Sequence, residues 1–464
     1  MSALKRIGLV LLFVASLPAV TPRLYAADEI EYFAYLRSLW FDRDLSFENE
    51  YRYFYDRGIA RAHGFHETFL EMTSATGLRL NFGTIGSAIL WAPMYIVTDI
   101  GVRAARALGS STPADGFSRP YLAAVAYGSA IYGFLAIVIS LFVARRFAGS
   151  VQVPALVVWI GTPLLFYMYV APGMAHATSA FAVALFVIVW LIVREKWSVG
   201  GLMVLGALAA LMTMVREQEA FVAIGPAVDF VWSVMDDARS ARRDVVRSKI
   251  VAAAAGIATL LVCMLPQFLT YLVLNGRIGP DRHIENKMLW YSPHAFSVLF
   301  SPNHGFFFWT PLAMLAVVGL LLKAARRPAL DESSDDRRIA ICMLIMFASQ
   351  VYVSGSVDTW TVAGSFGQRR FVGMTVLLVA GLAVLLNEVR GTPRKVLATV
   401  LALCVWWNLA LIAQFGAGMM DRQRLEPARN AYNSFVTVPL AIPNLAYRYL
   451  FDRASFYQSR GLAR

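Results

Sequence analysis

Apolar residues along this chain fall in long blocks that are apolar on all sides, not alternating as in a half-buried strand. Crossing roughly 30 Å of hydrocarbon takes about 20 helical residues. Blocks near that length run approximately over 121–144, 151–171, 174–193, 198–215, 220–235, 250–273, 308–322, 339–353, 371–387 and 396–415. Ahead of them, Lys5-Arg6 precede an apolar run from Ile7 to Val20. That start resembles a secretory signal. Leu24, where cleavage favours a small residue, and the late Pro18 and Pro22 argue instead for an uncleaved first helix. The pattern predicts an all-α integral membrane protein with about eleven transmembrane helices. A transmembrane barrel would alternate polar and apolar residues. The two shortest spans flank Arg216-Glu217-Gln218-Glu219, and Asp229 in the second must face protein or the interface.

The segment from Thr84 to Leu108 decides the topology. It is apolar but interrupted by Pro93 and Asp99. If it spans, Arg145-Arg146, Arg194/Lys196 and the cluster Arg239, Arg242, Arg243, Arg247, Lys249 all face outward. If it lies in the interface or re-enters, they face inward with Lys323, Arg326, Arg327, Arg337, Arg338 and Arg390, Arg394, Lys395. The second arrangement obeys the excess of Lys and Arg on the cytoplasmic side. The N-terminus is then cytoplasmic. Residues 24–119 form one long outer loop with juxtamembrane helices, 274–307 a second large one, and 416–464 an outer tail beyond a 1–415 transmembrane domain. The expected location is a bacterial inner membrane with the C-terminus periplasmic. Asp331 to Asp336 reads as a cytoplasmic linker, and no internal repeat is evident.

Composition agrees with this picture: 58% of the 464 residues are hydrophobic, only 16% are charged, and the mean hydropathy is +0.56. The net charge of +12 is topology signal, not a nucleic-acid footprint, since no reading module is present. Cys263, Cys342 and Cys404 sit inside apolar runs without metal-type spacing and read as packing residues.

All six histidines, His63, His66, His176, His283, His294 and His304, fall on or next to the predicted outer side. Chemistry is therefore expected there. Asp28-Glu29-Ile30-Glu31 follows the first helix, and Ile30, Phe33, Leu36, Leu39 and Trp40 recur at helical spacing. That predicts an amphipathic helix along the membrane surface. Asp28 has two readings. With Glu31 three residues on, it forms a capping-box-like start. At the mouth of a membrane cavity, it is a base for an acceptor hydroxyl.

Two further motifs sit where outer loops re-enter the membrane: Ser292 through Gly305, containing Ser301-Pro302-Asn303-His304, and Gly364-Ser365-Phe366-Gly367-Gln368-Arg369-Arg370-Phe371. Paired arginines with glycine-rich backbone suit a phosphate or diphosphate ester; alternatively, Arg369 and Arg370 snorkel to lipid phosphates. His63, His66 and Glu67 lack a third ligand pattern, so no metal site is expected. The tail carries Arg422, Arg424, Arg429, Arg448 and Arg453 among aromatics, suited to covering the outer face or meeting anionic lipid.

The acidic pair Asp28-Glu29, Tyr32 and the stretch SLWFDRDLSFENEY resemble the first outer loop of polytopic glycosyltransferases with the GT-C fold, such as protein O-mannosyltransferases and the lipid A aminoarabinose transferase. NFGTIGSAILWAPMYIV is similar to their second juxtamembrane helix, and APGMAHATSAF, VREQEAF, LPQFLTYLVLNGRIGP, LFSPNHGFFFWTPL and GSFGQRRF resemble a bacterial branch. The resemblance implies an inverting transferase that takes sugar from a polyprenyl-phosphate donor to an acceptor hydroxyl on protein, lipid or glycan, with Asp28 and Glu29 at the catalytic position. For such a donor, Arg369 and Arg370 with Arg79 or His304 are expected to hold the phosphate, and no cofactor is expected. Two positions depart from the aminoarabinose transferase: Arg79 or Asn81 stands for its loop lysine, and His176 for its second-loop aspartate. The rival class is a transporter or flippase of a lipid-linked sugar. Transporters place ionisable groups near the midplane and often show repeats.

Overall fold

A computed structural model describes residues 3–60, 64–326, 334–362 and 364–458. His63, Arg327, the first half of the predicted 331–336 linker and the last six residues fall outside that set. The chain divides into two compact units, 1–20 with 140–170 and 290–464, and 21–139 with 171–289.

Among the described residues, seven helices are long and apolar enough to cross a membrane: Gly86–Ala107, Arg119–Ala144, His176–Val193, Arg243–Cys263, Asp335–Ser356, Arg369–Glu388 and Thr392–Ala417. Four shorter apolar helices join them: Ile7–Ala19, Gln152–Gly161, Val199–Val215 and Pro311–Ala325. The architecture is all-α. The 84–108 segment forms one unbroken helix, Gly86–Ala107, through Pro93. At ~1.5 Å per residue it is long enough to cross the hydrocarbon. The expected span 220–235 becomes a 3-10 turn, Glu217–Ala223, and a helix, Ile224–Arg239. That helix ends in Asp236, Asp237 and Arg239, which leaves too short an apolar part to count as a span.

Polar residues inside apolar helices are met by protein. Asp99 accepts hydrogen bonds from Trp40 at 3.0 Å and Tyr121 at 2.7 Å. Asp229 accepts from Trp190 at 3.0 Å and Arg194 at 2.7 Å. The run 151–171 breaks at Thr162-Pro163, between Gln152–Gly161 and Leu164–Tyr169. Asn408 of Thr392–Ala417 supplies the break with donors, bonding the carbonyls of Ile160 at 2.7 Å and Thr162 at 3.1 Å. Unsatisfied backbone in hydrocarbon costs several kcal/mol, about as much as such bonds recover.

The first unit, containing residues 1–20, is built around Thr375–Glu388, buried at every position from Thr375 to Leu385. A helix that is apolar all round belongs inside. Pro311–Ala325 lies against it with Gly319 and Gly381 in contact: a Cβ at Gly319 would strike the Gly381 carbonyl, and one at Gly381 the Ala316 carbonyl. The other unit repeats the device, with Gly206 of Val199–Val215 against Gly256 of Arg243–Cys263. Lipid tails give no hydrophobic drive for helix association, so close backbone approach through small residues supplies the packing.

The segment that follows the first apolar helix is packed inside its unit. Helix Ala27–Arg37 buries Glu29, Ile30, Glu31, Phe33, Ala34, Tyr35 and Leu36. The expected surface-lying amphipathic helix is therefore an enclosed one, while Leu39 beyond it is exposed. Its cover is Glu48–Asp56, Gly86–Ala107 and an aromatic cluster in which Phe33 meets Phe54 edge-on and Tyr53 stacks on Phe117 at 3.9 Å. Arg37 lies 4.5 Å over the Phe117 ring and bonds Glu50 at 2.9 Å.

Because the glycine contacts leave no room for a side chain, Gly206→Leu and Gly319→Leu are each expected to destabilise the protein by at least about 1–3 kcal/mol. Gly200→Ala, where a Cβ meets nothing, is the neutral control. Thermal unfolding of the purified protein in detergent measures the difference.

Candidate active site

Helix Ala27–Arg37 starts from Ala26, whose backbone is extended and whose side chain cannot cap. Glu29, at the third helical position, takes over. Its Oε2 accepts the backbone N–H of Tyr25 at 3.0 Å and of Ala26 at 3.1 Å. The capping-box expectation is therefore shifted: the bonds belong to Glu29, and Asp28 sits inside the first turn. Glu29 is completely buried, and burial pushes its carboxyl up to about 7 against those two N–H groups. Gly173 packs so closely that a Cβ there would lie 3.1 Å from the Glu29 carboxylate. Asp28, in contrast, is partly exposed.

The next turn binds a loop. Glu31 Oε1 accepts the Phe82 N–H at 2.7 Å, and its carbonyl accepts Asn81 Nδ2 at 3.0 Å. Tyr35 donates to the Gly83 carbonyl at 3.0 Å. Tyr271 donates to the half-buried Glu217 carboxylate. Burial, then the charges of Glu31 and Glu217, raise the Tyr35 phenol well above its usual value. Ile85 N–H bonds Gln267 at 3.0 Å, and Thr84 bonds the Val215 carbonyl at 2.9 Å. These bonds fasten residues 81–85 to the ends of Val199–Val215 and Leu265–Asn275.

Just beyond Gly173, His176 is buried at the start of His176–Val193. Arg216 Nη1 lies 2.6 Å from its Nδ1, which places the lone pair there, and Arg216 Nη2 donates to Gln218 at 3.1 Å. Ser179 donates to Glu219 at 2.8 Å. Burial pushes Glu219 up to about 7, opposed first by the Arg216 charge. Arg216 Nε and Glu219 Oε2 are buried without hydrogen-bond partners. This cation escaped the reading of the sequence. Its only signal was the run Arg216-Glu217-Gln218-Glu219, taken as a short loop.

Arg79, in the same unit, is engaged elsewhere. Its Nε and Nη2 both lie 2.9 Å from Glu48, and Nη1 donates to the Glu71 carbonyl at 3.1 Å. The Arg79 pair, followed by Arg52, holds the Glu48 carboxyl below its usual value. His66 pairs with Glu71 at 3.0 Å, not with the neighbouring Glu67. Among the described residues no three His, Cys, Asp or Glu side chains are grouped to hold a metal.

In the unit containing residues 290–464, the two re-entry motifs meet. His304 is buried, stacks on Trp309 at 4.5 Å and shares a 3.0 Å hydrogen bond with the Ser365 carbonyl through Nε2. Burial lowers it to about 4, so the ring is neutral and Nε2–H donates. That ring joins two loops and brings no positive charge. Arg369 opens a 3-10 turn, and Arg370 reaches the Thr359 carbonyl at 3.2 Å. The seven sequence candidates are thus split: Asp28, Glu29, Arg79 and His176 in one unit, His304, Arg369 and Arg370 in the other.

Glu29, Glu219 and Glu50 are all pushed up by burial to about 7. A carboxyl raised in the folded state contributes stability that is fully present below its unfolded value, near 4.5, and is lost as pH rises through about 7. The melting temperature should therefore fall across that window, and Glu219→Gln should flatten the fall. Melting curves at several pH values test this.

No protein-family profile and no curated protein sequence match this chain. Among solved structures, it is similar to the crystal structure of ArnT from Cupriavidus metallidurans bound to undecaprenyl phosphate. The TM-score is 0.53 at 15% sequence identity, covering 97% of this chain and 78% of that one. At that identity the likeness is one of fold, and it extends over almost the whole chain. The chain has an ArnT-like GT-C fold.

Proposed function

We propose that this protein is a membrane glycosyltransferase that moves a sugar from a polyprenyl-phosphate donor to an acceptor hydroxyl at the periplasmic face. The observation that carries the reading is the division of labour in one acidic turn. Glu29 makes the capping bonds from a buried position, while Asp28 beside it is partly exposed. Asp28 is thus not the helix cap, and a base is the role that suits it. The fold shared with ArnT, which was crystallised with undecaprenyl phosphate, supports a polyprenyl phosphate as carrier.

In the reaction, the acceptor oxygen bonds to the anomeric carbon as the bond from that carbon to the phosphate oxygen breaks. Asp28 takes the hydroxyl proton, and polyprenyl phosphate leaves. Attack from the face opposite the leaving group inverts the centre. Charge growing on the phosphate needs fixed donors. Arg216, set by His176 and Gln218, is such a donor in the unit that holds Asp28. Arginine partners for the departing phosphate reduce the need for a metal.

Asp28→Asn in proteoliposomes is expected to remain folded and to lose transfer of radiolabelled sugar by about 10²–10⁴-fold, the range for a general base. Full activity in that variant would overturn the assignment, and sugar-lipid crossing the bilayer with its glycosidic phosphate bond intact would identify a flippase instead. Arg216→Gln is expected to weaken both donor affinity and turnover; Arg79→Gln, whose guanidinium is held by Glu48, should cost far less.

A further inference from the structure

The unit containing residues 290–464 carries a partly open cavity of about 450 Å³, none of whose lining residues is assigned to the transfer reaction. Its walls include Leu12, Trp159, Ile160, Ile412, Ala413 and Leu445. A Cβ at Gly416, also on the wall, would meet nothing within 4 Å. The size is within the range of about 300–1,000 Å³ for small-ligand pockets. Polar groups gather at one part of the lining: Ser16, Tyr169, Tyr449 and Arg453.

The helix Val438–Phe451 forms one wall of the cavity through Leu445, Ala446 and Tyr449. Tyr449 donates to the carbonyls of Ala19 at 2.8 Å and Tyr169 at 3.3 Å. Arg453 donates to the carbonyls of Tyr449, Val20 and Pro18. These acceptors include the backbone where the first helix ends, which would otherwise lack donors. Leu440, Tyr447, Leu450 and Phe451 on the same helix are exposed. An apolar helix surface of that kind belongs in the bilayer interface.

Arg453 is the unusual member. Among the described residues its partners are three carbonyls and the Tyr449 ring, with no carboxylate. A guanidinium has five N–H donors, so two remain after those bonds. A positive charge with spare donors at the edge of an apolar cavity complements an anionic head group on a hydrocarbon chain.

We propose that this cavity holds one acyl chain of an anionic membrane phospholipid, with its phosphate at Arg453. The lipid is a bound component that seals Val438–Phe451 against the ends of Ala3–Ser16 and Thr392–Ala417. It is independent of the donor substrate and of Asp28.

Native mass spectrometry of the full chain, purified in detergent and exposed to equal phosphatidylglycerol and phosphatidylcholine, tests the site. One phosphatidylglycerol per chain is expected, preferred about fivefold, the equivalent of ~1 kcal/mol for one arginine near anionic lipid. Gly416→Leu, at a position where an added Cβ meets nothing within 4 Å, should remove the bound lipid while the protein stays monodisperse. Arg453→Gln should keep a lipid but lose the preference between head groups. Unchanged retention in Gly416→Leu, no preference in the parent protein, or an undiminished preference in Arg453→Gln would overturn the proposal. Detergent alone in the cavity would do the same, as would polyprenyl phosphate displacing phosphatidylglycerol at equal concentration.

Discussion

An acidic side chain folded back onto the start of its own helix, inside the protein, sets the terms for the segment that follows the first apolar helix. Glu29 satisfies two backbone N–H groups ahead of Ala27–Arg37. The positive end of the helix dipole favours acids in that first turn. Doing this away from water requires cover on every side, and the cover comes from distant parts of the chain: Glu48–Asp56, Gly86–Ala107 and the backbone at Gly173. The same cover brings residues 81–83 against Glu31 and Tyr35. What is left at the margin is Asp28, the one acid of the turn with both solvent access and a neighbour fixed in place.

The apolar helices obey a complementary constraint. Hydrocarbon offers no hydrogen bonds, so each polar residue within a helix must find a protein partner. Asp99, Asp229 and Asn408 do so through side chains and carbonyls up to 248 residues away in sequence. Asn408 in addition makes the break before Pro163 tolerable. Contact between helices then rests on glycine against backbone, in both units. These features pin the ends of the helices, and the polar loops that carry the chemistry start from those ends.

Much of the architecture was legible in the chain because the signal is local. A block of some twenty apolar residues can be little else than a membrane helix, whatever it packs against. That signal is weakest in two helices. Gly86–Ala107 carries Pro93 and Asp99, and only the pairing of Asp99 with Trp40 and Tyr121 shows how an acid can sit within so apolar a helix. Ile224–Arg239 has an apolar first part, but three charged residues at its end shorten it. The motifs around Asp28, His304 and Arg369 were visible as polar islands between apolar blocks. His304 was visible only as a polar residue. Its neutrality follows from burial against Trp309 and a carbonyl 61 positions away.

The sequence by itself determined the solvent in which this protein folds, the helical class, and the positions where polar chemistry is concentrated, because each depends on residues adjacent in the chain. The tertiary structure decided which acid of the Asp28-Glu29-Glu31 turn caps the helix, which partner each arginine takes, and how the tail lines a cavity. Long charged side chains reach several ångströms, and their partners are chosen by whichever distant segment is packed within that reach. Arg79 was claimed by Glu48 and Arg216 by His176, and nothing local to either arginine distinguishes the two outcomes.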